Sequence, residues 1–329
     1  MKRNKLPICS FPKGWFTVAL SHEIKTGSVK KQTFCGEEIV IFRTESGKVS
    51  VLDAYCTHLG AHLGFGGIVE GENIRCPFHG FCFDTNGDCT KTGYGTKAPK
   101  TKIYNYPVFE NYGIIMAYYD PERAVPEWSI PFVDMEGWLY PKFHTWELDS
   151  RPQEIAENSV DIGHFSEVHK YTAIQVHKNL ETNGPFLTAK YSMERQAFFF
   201  SKSKRIYSEF EIHQWGLGYA RVEVSVPAMK LRSRQFVLAT PIDEKNMFLR
   251  IGMSIQSLKK SSQIHPLLTI LPKGLVESIV LKAGIKGYIH DVHQDFKIWQ
   301  NKKVVHPPAL AEGDGPIMPY RKWVKQFEY

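Results

Sequence analysis

The pattern of hydrophobic and polar positions divides the chain into two parts, and the first of them is rich in strands. Short runs of β-branched and aromatic residues end at Gly, Ser or Lys, as strands of an antiparallel sheet do. They cover residues 15–20, 38–42, 49–52 and 113–119. Ser46 and Gly47 separate two of these runs and predict a hairpin turn.

A proline-rich segment separates this part from the rest of the chain. Residues 121–133 contain Pro121, Pro126 and Pro131, a composition typical of a linker or an extended crossing. We therefore expect one domain over residues 1–125 and a second over residues 126–329.

The second part combines helical patterns with strand-like runs. Residues 153–171 and 264–300 have helical patterns, and the second pattern is interrupted near Pro272 and at residues 284–287. Residues 185–257 contain several strand-like runs between them. Strands followed by a helical segment predict an α+β fold for this domain.

The composition is that of a globular protein with material for a large core. The chain has 329 residues, enough for two domains, and is 43% hydrophobic, which excludes disorder. No apolar run approaches the ~18–20 residues that cross a bilayer, and residues 1–10 lack the apolar stretch of a signal peptide. The net charge of +7 indicates a slightly basic solvated surface without a nucleic-acid motif. We expect a cytoplasmic protein that neither spans a membrane nor binds nucleic acid.

Four of the six cysteines lie between residues 56 and 89, which indicates a metal site. Without an export signal, reduced thiols are expected rather than disulfides. The motifs Cys56-x-His58 and Cys76-x-x-His79 each offer one thiolate and one imidazole. Zinc fingers group their cysteines and histidines separately, whereas two equivalent Cys/His loops suit a [2Fe–2S] cluster in which two Cys hold one iron and two His the other. A zinc site is the alternative.

The flanks of these two loops resemble the Rieske family and predict a low reduction potential. In the respiratory branch of that family a disulfide locks the loops, and a Ser and a Tyr hydrogen-bond the cluster. The corresponding positions here, which allow neither, are Ala61, Phe78, Phe81 and Phe83. Hydrogen bonds to the sulfurs raise the potential, so their absence predicts about −150 mV, typical of the oxygenase or ferredoxin branch. Cys82 and Cys89 are then ordinary thiols of the β domain.

A second set of candidate ligands lies in the first helical segment of the second domain. Asp161, His164 and His169 suggest two histidines and one carboxylate, the set that binds non-haem iron. The two histidines are about 140° apart around a regular helix, so they can bind one metal only if the helix bends, bulges or ends between them. Asp161 lies three residues before His164 on the same face. This spacing allows either a hydrogen bond to the His164 ring or direct binding of the metal.

These motifs, in this order, resemble the terminal oxygenase component of the Rieske non-haem iron oxygenases. The resemblance covers nearly the whole chain, from about residue 14 to residue 327. It implies an N-terminal antiparallel β Rieske domain and an α+β catalytic domain with an antiparallel sheet and helices of the helix-grip type. It also implies that Asp161 is a bridge that carries electrons from His79 of a neighbouring subunit to His164, and hence that the protein is a ring-shaped homotrimer.

The resemblance also selects the third iron ligand, because spacing alone leaves two candidates. Asp291 and Asp295 lie four residues apart on one helical face. Residues 294–302, followed by residues 314–316, resemble the C-terminal end of the 3-ketosteroid 9α-hydroxylase oxygenases and their cholesterol-desaturase relatives. In that pattern the Asp after Gln is the ligand, which implies Asp295.

The steroid branch uses rigid, apolar, polycyclic substrates, and the resemblance implies such a substrate here. Apolar residues of the second domain that could line its pocket, or belong to the core instead, are Phe186, Phe198, Met229, Phe236 and Met247. Asn158 and Trp299 are further candidates for the surroundings of the iron or of the pocket. Trp299 follows Asp295 by one helical turn and suits the core equally well.

The implied function is that of a terminal oxygenase, which uses O2 and electrons from NAD(P)H to hydroxylate a hydrophobic substrate. The chain has no dinucleotide fingerprint, so a separate reductase, with or without a ferredoxin, must supply the electrons. Desaturation or oxidative demethylation would use the same residues. The alternative of another class is a Rieske electron carrier without catalysis, but a carrier needs only about 100 residues.

Overall fold

The computed structural model describes residues 11–196 and 205–328, and these form two compact units. The N-terminal unit comprises residues 13–133 together with 240–244, and the described part of the C-terminal unit comprises residues 11–12, 134–196, 205–239 and 245–328. Phe198, a candidate pocket residue in the sequence analysis, lies outside the described residues.

The N-terminal unit extends to Val133, because the end of the proline-rich segment packs on it. The indole N–H of Trp15 donates to the carbonyl of Trp128 at 2.9 Å. The side-chain amide of Asn111 binds the backbone of Val133 through both its N–H and its carbonyl, at 3.2 and 2.9 Å.

The described part of the N-terminal unit contains eleven short antiparallel strands in three sheets. They are β1 (Gly14–Leu20), β2 (Val29–Phe34), β3 (Glu37–Arg43), β4 (Val49–Asp53), β5 (Ile68–Glu70), β6 (Asn73–Arg75), β7 (Cys82–Phe83), β8 (Cys89–Lys91), β9 (Asn105–Tyr106), β10 (Val108–Asn111) and β11 (Ile114–Tyr119). The sheets have the orders β1-β11-β10, β2-β3-β4-β9 and β5-β6-β7-β8. The antiparallel β fold predicted from the sequence is confirmed, and the turn between β3 and β4 contains Gly47 with φ +95°.

The described residues of the C-terminal unit form one seven-stranded antiparallel sheet, with strand order β12-β18-β17-β16-β15-β14-β13. Its elements are β12 (Lys142–Asp149), α1 (Pro152–Glu157), α2 (Gly163–Glu167), β13 (Thr172–Asn183), β14 (Phe186–Gln196), β15 (Arg205–Trp215), β16 (Tyr219–Val226), β17 (Leu231–Pro241), β18 (Asn246–Ile255), α3 (Lys273–Trp299) and α4 (Ile317–Val324). This arrangement confirms the α+β class predicted for the second domain.

The helices differ from the sequence prediction in two places. The helical pattern of residues 153–171 is two short helices, α1 and α2, rather than one. The predicted interruption at residues 284–287 is wrong, since α3 runs unbroken for 27 residues. Gly284 has a packing role instead, because a Cβ there would lie 2.7 Å from the terminal methyl of Met253.

Two hydrophobic clusters hold α3 on the sheet. One joins Phe296 and Trp299 of α3 to Leu148 of β12 and Leu249 of β18, and the other joins Val280 and its neighbours to the end of β18. In the described residues, no helix is long and apolar enough to cross a membrane.

Candidate active site

Two loops with the same hydrogen-bond pattern carry the four predicted cluster residues. In the first loop, the N–H of Cys56 donates to the carbonyl of Ala61, and the N–H of Gly60 donates to the carbonyl of Cys56, both at 2.9 Å. The second loop, from Cys76 to Phe81, repeats these two bonds at 2.8 and 3.2 Å. Each loop therefore presents one thiol and one imidazole in the same way.

The cysteines of these loops face the interior and the histidines face outward. Cys56 and Cys76 are each 3% exposed, whereas His58 and His79 are half-buried, with ring centroids 4.9 Å apart. Burial and the neighbouring Cys76 thiol raise the pKa of Cys56 to about 11. Two thiolates at this place therefore need a cation beside them. The donor set fits a [2Fe–2S] cluster with a buried Cys-bound iron and an outward His-bound iron.

Three of the four flanking positions that distinguish these loops from the respiratory branch are phenylalanines: Phe78, Phe81 and Phe83. Phe81 is buried, and its ring stacks on His58 with a centroid distance of 4.2 Å and an interplanar angle of 9°. Phe78 is exposed, and the centroid of its ring lies 3.8 Å from that of His79. An aromatic ring cannot donate the hydrogen bonds that raise the potential, so the prediction of a low potential stands.

Three of the predicted metal ligands converge in the C-terminal unit. His164 lies on α2, His169 follows the end of that helix, and Asp295 lies on α3. One ligand atom from each lies within 4.8 Å of the other two, and His169 Nε2 is 3.5 Å from Asp295 Oδ2. Their spacing in the sequence required the helix to bend, bulge or end between His164 and His169. Helix α2 does end between them, at Glu167.

Hydrogen bonds orient both imidazoles towards the centre of this site. His164 Nδ1–H donates to the backbone carbonyl of Asp161, and His169 Nδ1–H donates to Gln294 Oε1 at 3.1 Å. With the proton on Nδ1, each ring turns the lone pair of its Nε2 inward, the tautomer that binds a metal. The amide of Asn158 donates to His164 Nε2 at 3.1 Å and to the Asp295 carboxylate.

Burial shifts the pKa values of two of the three ligands, His164 and Asp295. Desolvation, reinforced by the charge of His169, lowers the pKa of His164 to about 4. Desolvation raises the pKa of Asp295 to about 6, against the opposing effects of His169 and Asn158. At neutral pH the site therefore offers a neutral His164 imidazole and the Asp295 carboxylate, and with His169 these are the donor types of a non-haem iron site.

Asp161 and Asp291 both lie outside this trio of ligands. The Asp161 side chain is 37% exposed, and its Oδ1 is 3.9 Å from His164 Nδ1, the ring nitrogen that faces away from the trio. Asp291 accepts a hydrogen bond from the hydroxyl of Tyr171 at 3.0 Å. Spacing alone had left both carboxylates as candidate ligands, and the structure brings only Asp295 to both histidines.

A cavity of about 180 Å³ lies beside the three ligands, between the sheet and helices α1 to α3. Its wall is mostly apolar and includes Phe165, Tyr191, Met193, Phe210, Ile212, Leu217, Val222 and Val237. Asn158 and Trp299 line it, and Trp299 also belongs to the hydrophobic core.

Of the pocket residues predicted from the sequence, the four that lie in the described part of the chain do not line this cavity. Phe236 lies between Gln235 and Val237, which do line it, and side chains alternate between the two faces of a strand. Met229 and Met247 belong to hydrophobic clusters, and Phe186 stacks on His213 instead. Apolar character alone could not identify the face of each strand that the helices cover.

Sequence reasoning also missed the packing role of residues 313–316. The carbonyl of Asp314 accepts from the N–H of Ile162 at 3.2 Å. Gly315 has φ +88°, and a Cβ there would lie 2.4 Å from the carbonyl oxygen of Val160. This segment therefore supports the loop that carries Asp161.

Two family comparisons cover almost the whole chain. The Rieske [2Fe–2S] domain matches residues 14–107, and the 3-ketosteroid 9α-hydroxylase C-terminal domain matches residues 117–328. The chain therefore belongs to the Rieske non-haem iron oxygenases, in the family of the 3-ketosteroid 9α-hydroxylase oxygenases. The cofactors of this class are a Rieske [2Fe–2S] cluster and a mononuclear non-haem iron, and the two donor sets fit them.

Individual relatives also match this chain over almost its whole length. A cholesterol 7-desaturase of Drosophila melanogaster is 30% identical over 96% of this chain and 75% of its own length, and that of Xenopus laevis is 29% identical over 99% and 73%. The oxygenase component of a Rhodococcus rhodochrous 3-ketosteroid-9-alpha-monooxygenase is 25% identical over 96% and 80%. Among solved structures, Pseudomonas putida CBB5 NdmA with caffeine superposes with a TM-score of 0.71 at 17% identity, covering 94% of this chain and 89% of NdmA. This last likeness concerns the fold.

Proposed function

We propose that this protein is the terminal oxygenase of a multicomponent system that hydroxylates an apolar, steroid- or sterol-like substrate with O2. The observation that carries the proposal is the convergence of His164, His169 and Asp295 at the wall of a mostly apolar cavity. Two imidazoles and one carboxylate leave open positions on an iron for O2 and substrate. The Rhodococcus relative, named as an oxygenase component, supports both the reaction and the need for an electron-supplying partner.

The two sites have separate proposed roles. Cys56 and Cys76 would hold one iron of the cluster and His58 and His79 the other, and a reductase, directly or through a ferredoxin, would deliver electrons from NAD(P)H there. An iron held at the second site by His164, His169 and Asp295 would supply the redox chemistry that activates O2 for reaction with a C–H bond. The residues around it hold the imidazoles in the binding tautomer, and the apolar wall excludes water from the substrate.

We further propose that electrons reach the iron across a subunit boundary in a homotrimer, from His79 of one chain to Asp161 of the next. Asp161 suits this role because its side chain is partly exposed while its backbone carbonyl holds the His164 ring. Large apolar side chains exposed around the cluster loops support a docking surface there: Leu59, Phe65, Phe78 and Tyr94.

Replacing Asp161 tests the bridge. D161N keeps the shape of the side chain and removes its charge, so we expect normal reduction of the cluster and roughly tenfold to hundredfold slower product formation. The measurement is stopped-flow reduction of the cluster beside single-turnover product yield. Wild-type product formation in D161N, with unchanged iron content, would show that Asp161 is not the bridge.

Desaturation is the second candidate reaction, and the relatives named cholesterol 7-desaturase favour it. The two reactions differ in the product, because hydroxylation adds one oxygen atom whereas desaturation removes two hydrogens. Mass spectrometry after incubation of the reduced enzyme with a 3-ketosteroid and, separately, with cholesterol decides between them. Conversion of neither compound would contradict the steroid or sterol assignment.

A Rieske electron carrier without catalysis is disfavoured by the C-terminal unit itself. A carrier has no use for three converging ligands and an apolar cavity beside them. We also propose a cytoplasmic location, because thiolate ligands of an iron–sulfur cluster are best kept reduced in that compartment.

A further inference from the structure

Besides Arg195 and Tyr191 of β14, two glutamines are the polar residues of the sheet wall of the cavity. In the described residues, only one of these glutamines has hydrogen-bond partners in the fold. Gln214 on β15 is fully engaged: its Nε2 donates to the carbonyl of Gly216 at 2.9 Å, and its Oε1 accepts from the Ser159 hydroxyl at 3.4 Å. Its amide therefore stabilises the fold around the cavity.

Gln235 on β17 is buried without such partners. It lines the cavity and is only 5% exposed. Its neighbours on the same face are Val222, directly opposite on β16, and Val237, two residues along β17. Within the described residues no hydrogen bond of its side-chain amide is found, and the amide is also not among the polar groups sealed off from the cavity.

A buried amide without partners is unusual in a folded protein. More than nine in ten buried polar groups have a hydrogen-bond partner, because burying a donor or acceptor without one costs stability. A Leu or Met at this position would match the surrounding valines. An amide at this place is therefore understandable if something that enters the cavity completes its hydrogen bonds.

We infer that Gln235 is the residue that recognises the substrate, by binding an oxygen atom carried on the substrate's apolar body. This inference rests on the proposed function and specifies its substrate further. An amide both donates and accepts hydrogen bonds, so Gln235 can bind a ketone or a secondary hydroxyl. Because the iron ligands line the same cavity, one polar contact at Gln235 orients a rigid substrate and thereby selects the carbon that lies at the iron.

Tyr191 is the rival for this role. It also lines the cavity, and its hydroxyl also lacks a partner in the described residues. That hydroxyl, however, is enclosed in the wall, and the whole residue is only 1% exposed. A substrate oxygen could reach it only after the surrounding side chains moved.

The test compares the binding of a steroid ketone with that of the same steroid lacking the oxygen. Wild-type enzyme should bind the ketone roughly tenfold to a hundredfold more tightly. Q235L should abolish this preference and bind the deoxy compound at least as well as wild type, without a lower melting temperature. Equilibrium titrations of the full-length protein with its cofactors, monitored by its absorption or EPR spectrum, give the dissociation constants of the ketone and of the deoxy compound.

Two further variants make the result specific. Q214L should lower the melting temperature, because it breaks two hydrogen bonds of the fold, yet keep the preference for the ketone. Y191F should also keep the preference. A preference that survives in Q235L, or one that disappears in Y191F instead, would overturn the assignment of Gln235. Wild-type enzyme that binds both compounds equally contradicts this inference alone, whereas failure to bind either also contradicts the proposed steroid substrate.

Discussion

Single residues decide whether the two histidines can act as ligands, and much of this is not visible in the sequence. The spacing of Asp161, His164 and His169 predicted a metal site and required a break in the helix. It could not show that a backbone carbonyl and Gln294 fix the tautomer of the two rings. The second of these contacts depends on the tertiary fold, since Gln294 is 125 residues from His169.

The buried carboxylate of Asp295 leads to a prediction about pH and stability. Its pKa rises from 3.8 to about 6 on folding, so between these values the folded protein keeps a proton that the unfolded chain has released. The free energy of unfolding of the iron-free protein therefore falls as the pH rises through this range, and above pH 6 the buried charge is fully destabilising. D295N cannot ionise, so the iron-free variant should be more stable than iron-free wild type at pH 7.5, by about 1–3 kcal/mol, and equally stable at pH 4.

Chemical denaturation at both pH values measures this difference, after mild chelation that leaves the cluster in place. With iron added at pH 7.5, wild type should become more stable than D295N, because iron binds the wild-type site and not that of the variant. If D295N is no more stable than iron-free wild type at pH 7.5, burial of the Asp295 carboxylate does not destabilise the iron-free protein.

At the scale of elements, local pattern predicted the strands well and the helix around the iron site poorly. The strands of the N-terminal unit follow from runs of apolar residues between turn residues. Residues 153–171 have a continuous helical pattern, but the chain forms a loop between α1 and α2. The partner that holds this loop is the segment around Gly315, which is about 150 residues away and therefore invisible to local periodicity.

Gly313 and Gly315 form a matched pair that tests this support. Both have positive φ, +104° and +88°, but only at Gly315 would a Cβ collide with the backbone, at the Val160 carbonyl. We expect G313A to cost about 1 kcal/mol of unfolding free energy through backbone strain alone, and G315A to cost about 3 kcal/mol or more. Urea denaturation measures both.

The functional consequence should separate the same two variants. G315A should slow product formation more than G313A, because it displaces the loop that carries Asp161, while the cluster still accepts electrons normally. Equal effects of the two substitutions on stability and turnover would contradict the supporting role of residues 313–316.

The whole molecule carries two redox sites on two units, and the proposed route between them runs through a neighbouring chain. This proposal predicts that two inactive variants can restore each other. H79A should impair the cluster but keep the three ligands of the mononuclear iron. D295A should keep the cluster but lose one ligand of that iron. When both chains are co-expressed, a mixed assembly pairs an intact cluster with an intact iron site across the subunit boundary.

Turnover of the purified mixed assembly is the measurement, with each variant expressed alone as the control. We expect activity in the mixture and almost none in either variant. An inactive mixture, shown to contain both chains in one assembly, would contradict electron transfer between subunits.

The central claim is that one chain holds both a Rieske cluster and a mononuclear iron bound by His164, His169 and Asp295. Its most direct test is the iron and sulfide content of anaerobically reconstituted wild type and D295A, with EPR spectra after reduction by dithionite. We predict about three irons and about two sulfides per wild-type chain, and in D295A the loss of about one iron with an unchanged Rieske signal. Only two irons in wild type, or full retention of iron in D295A, would contradict the account.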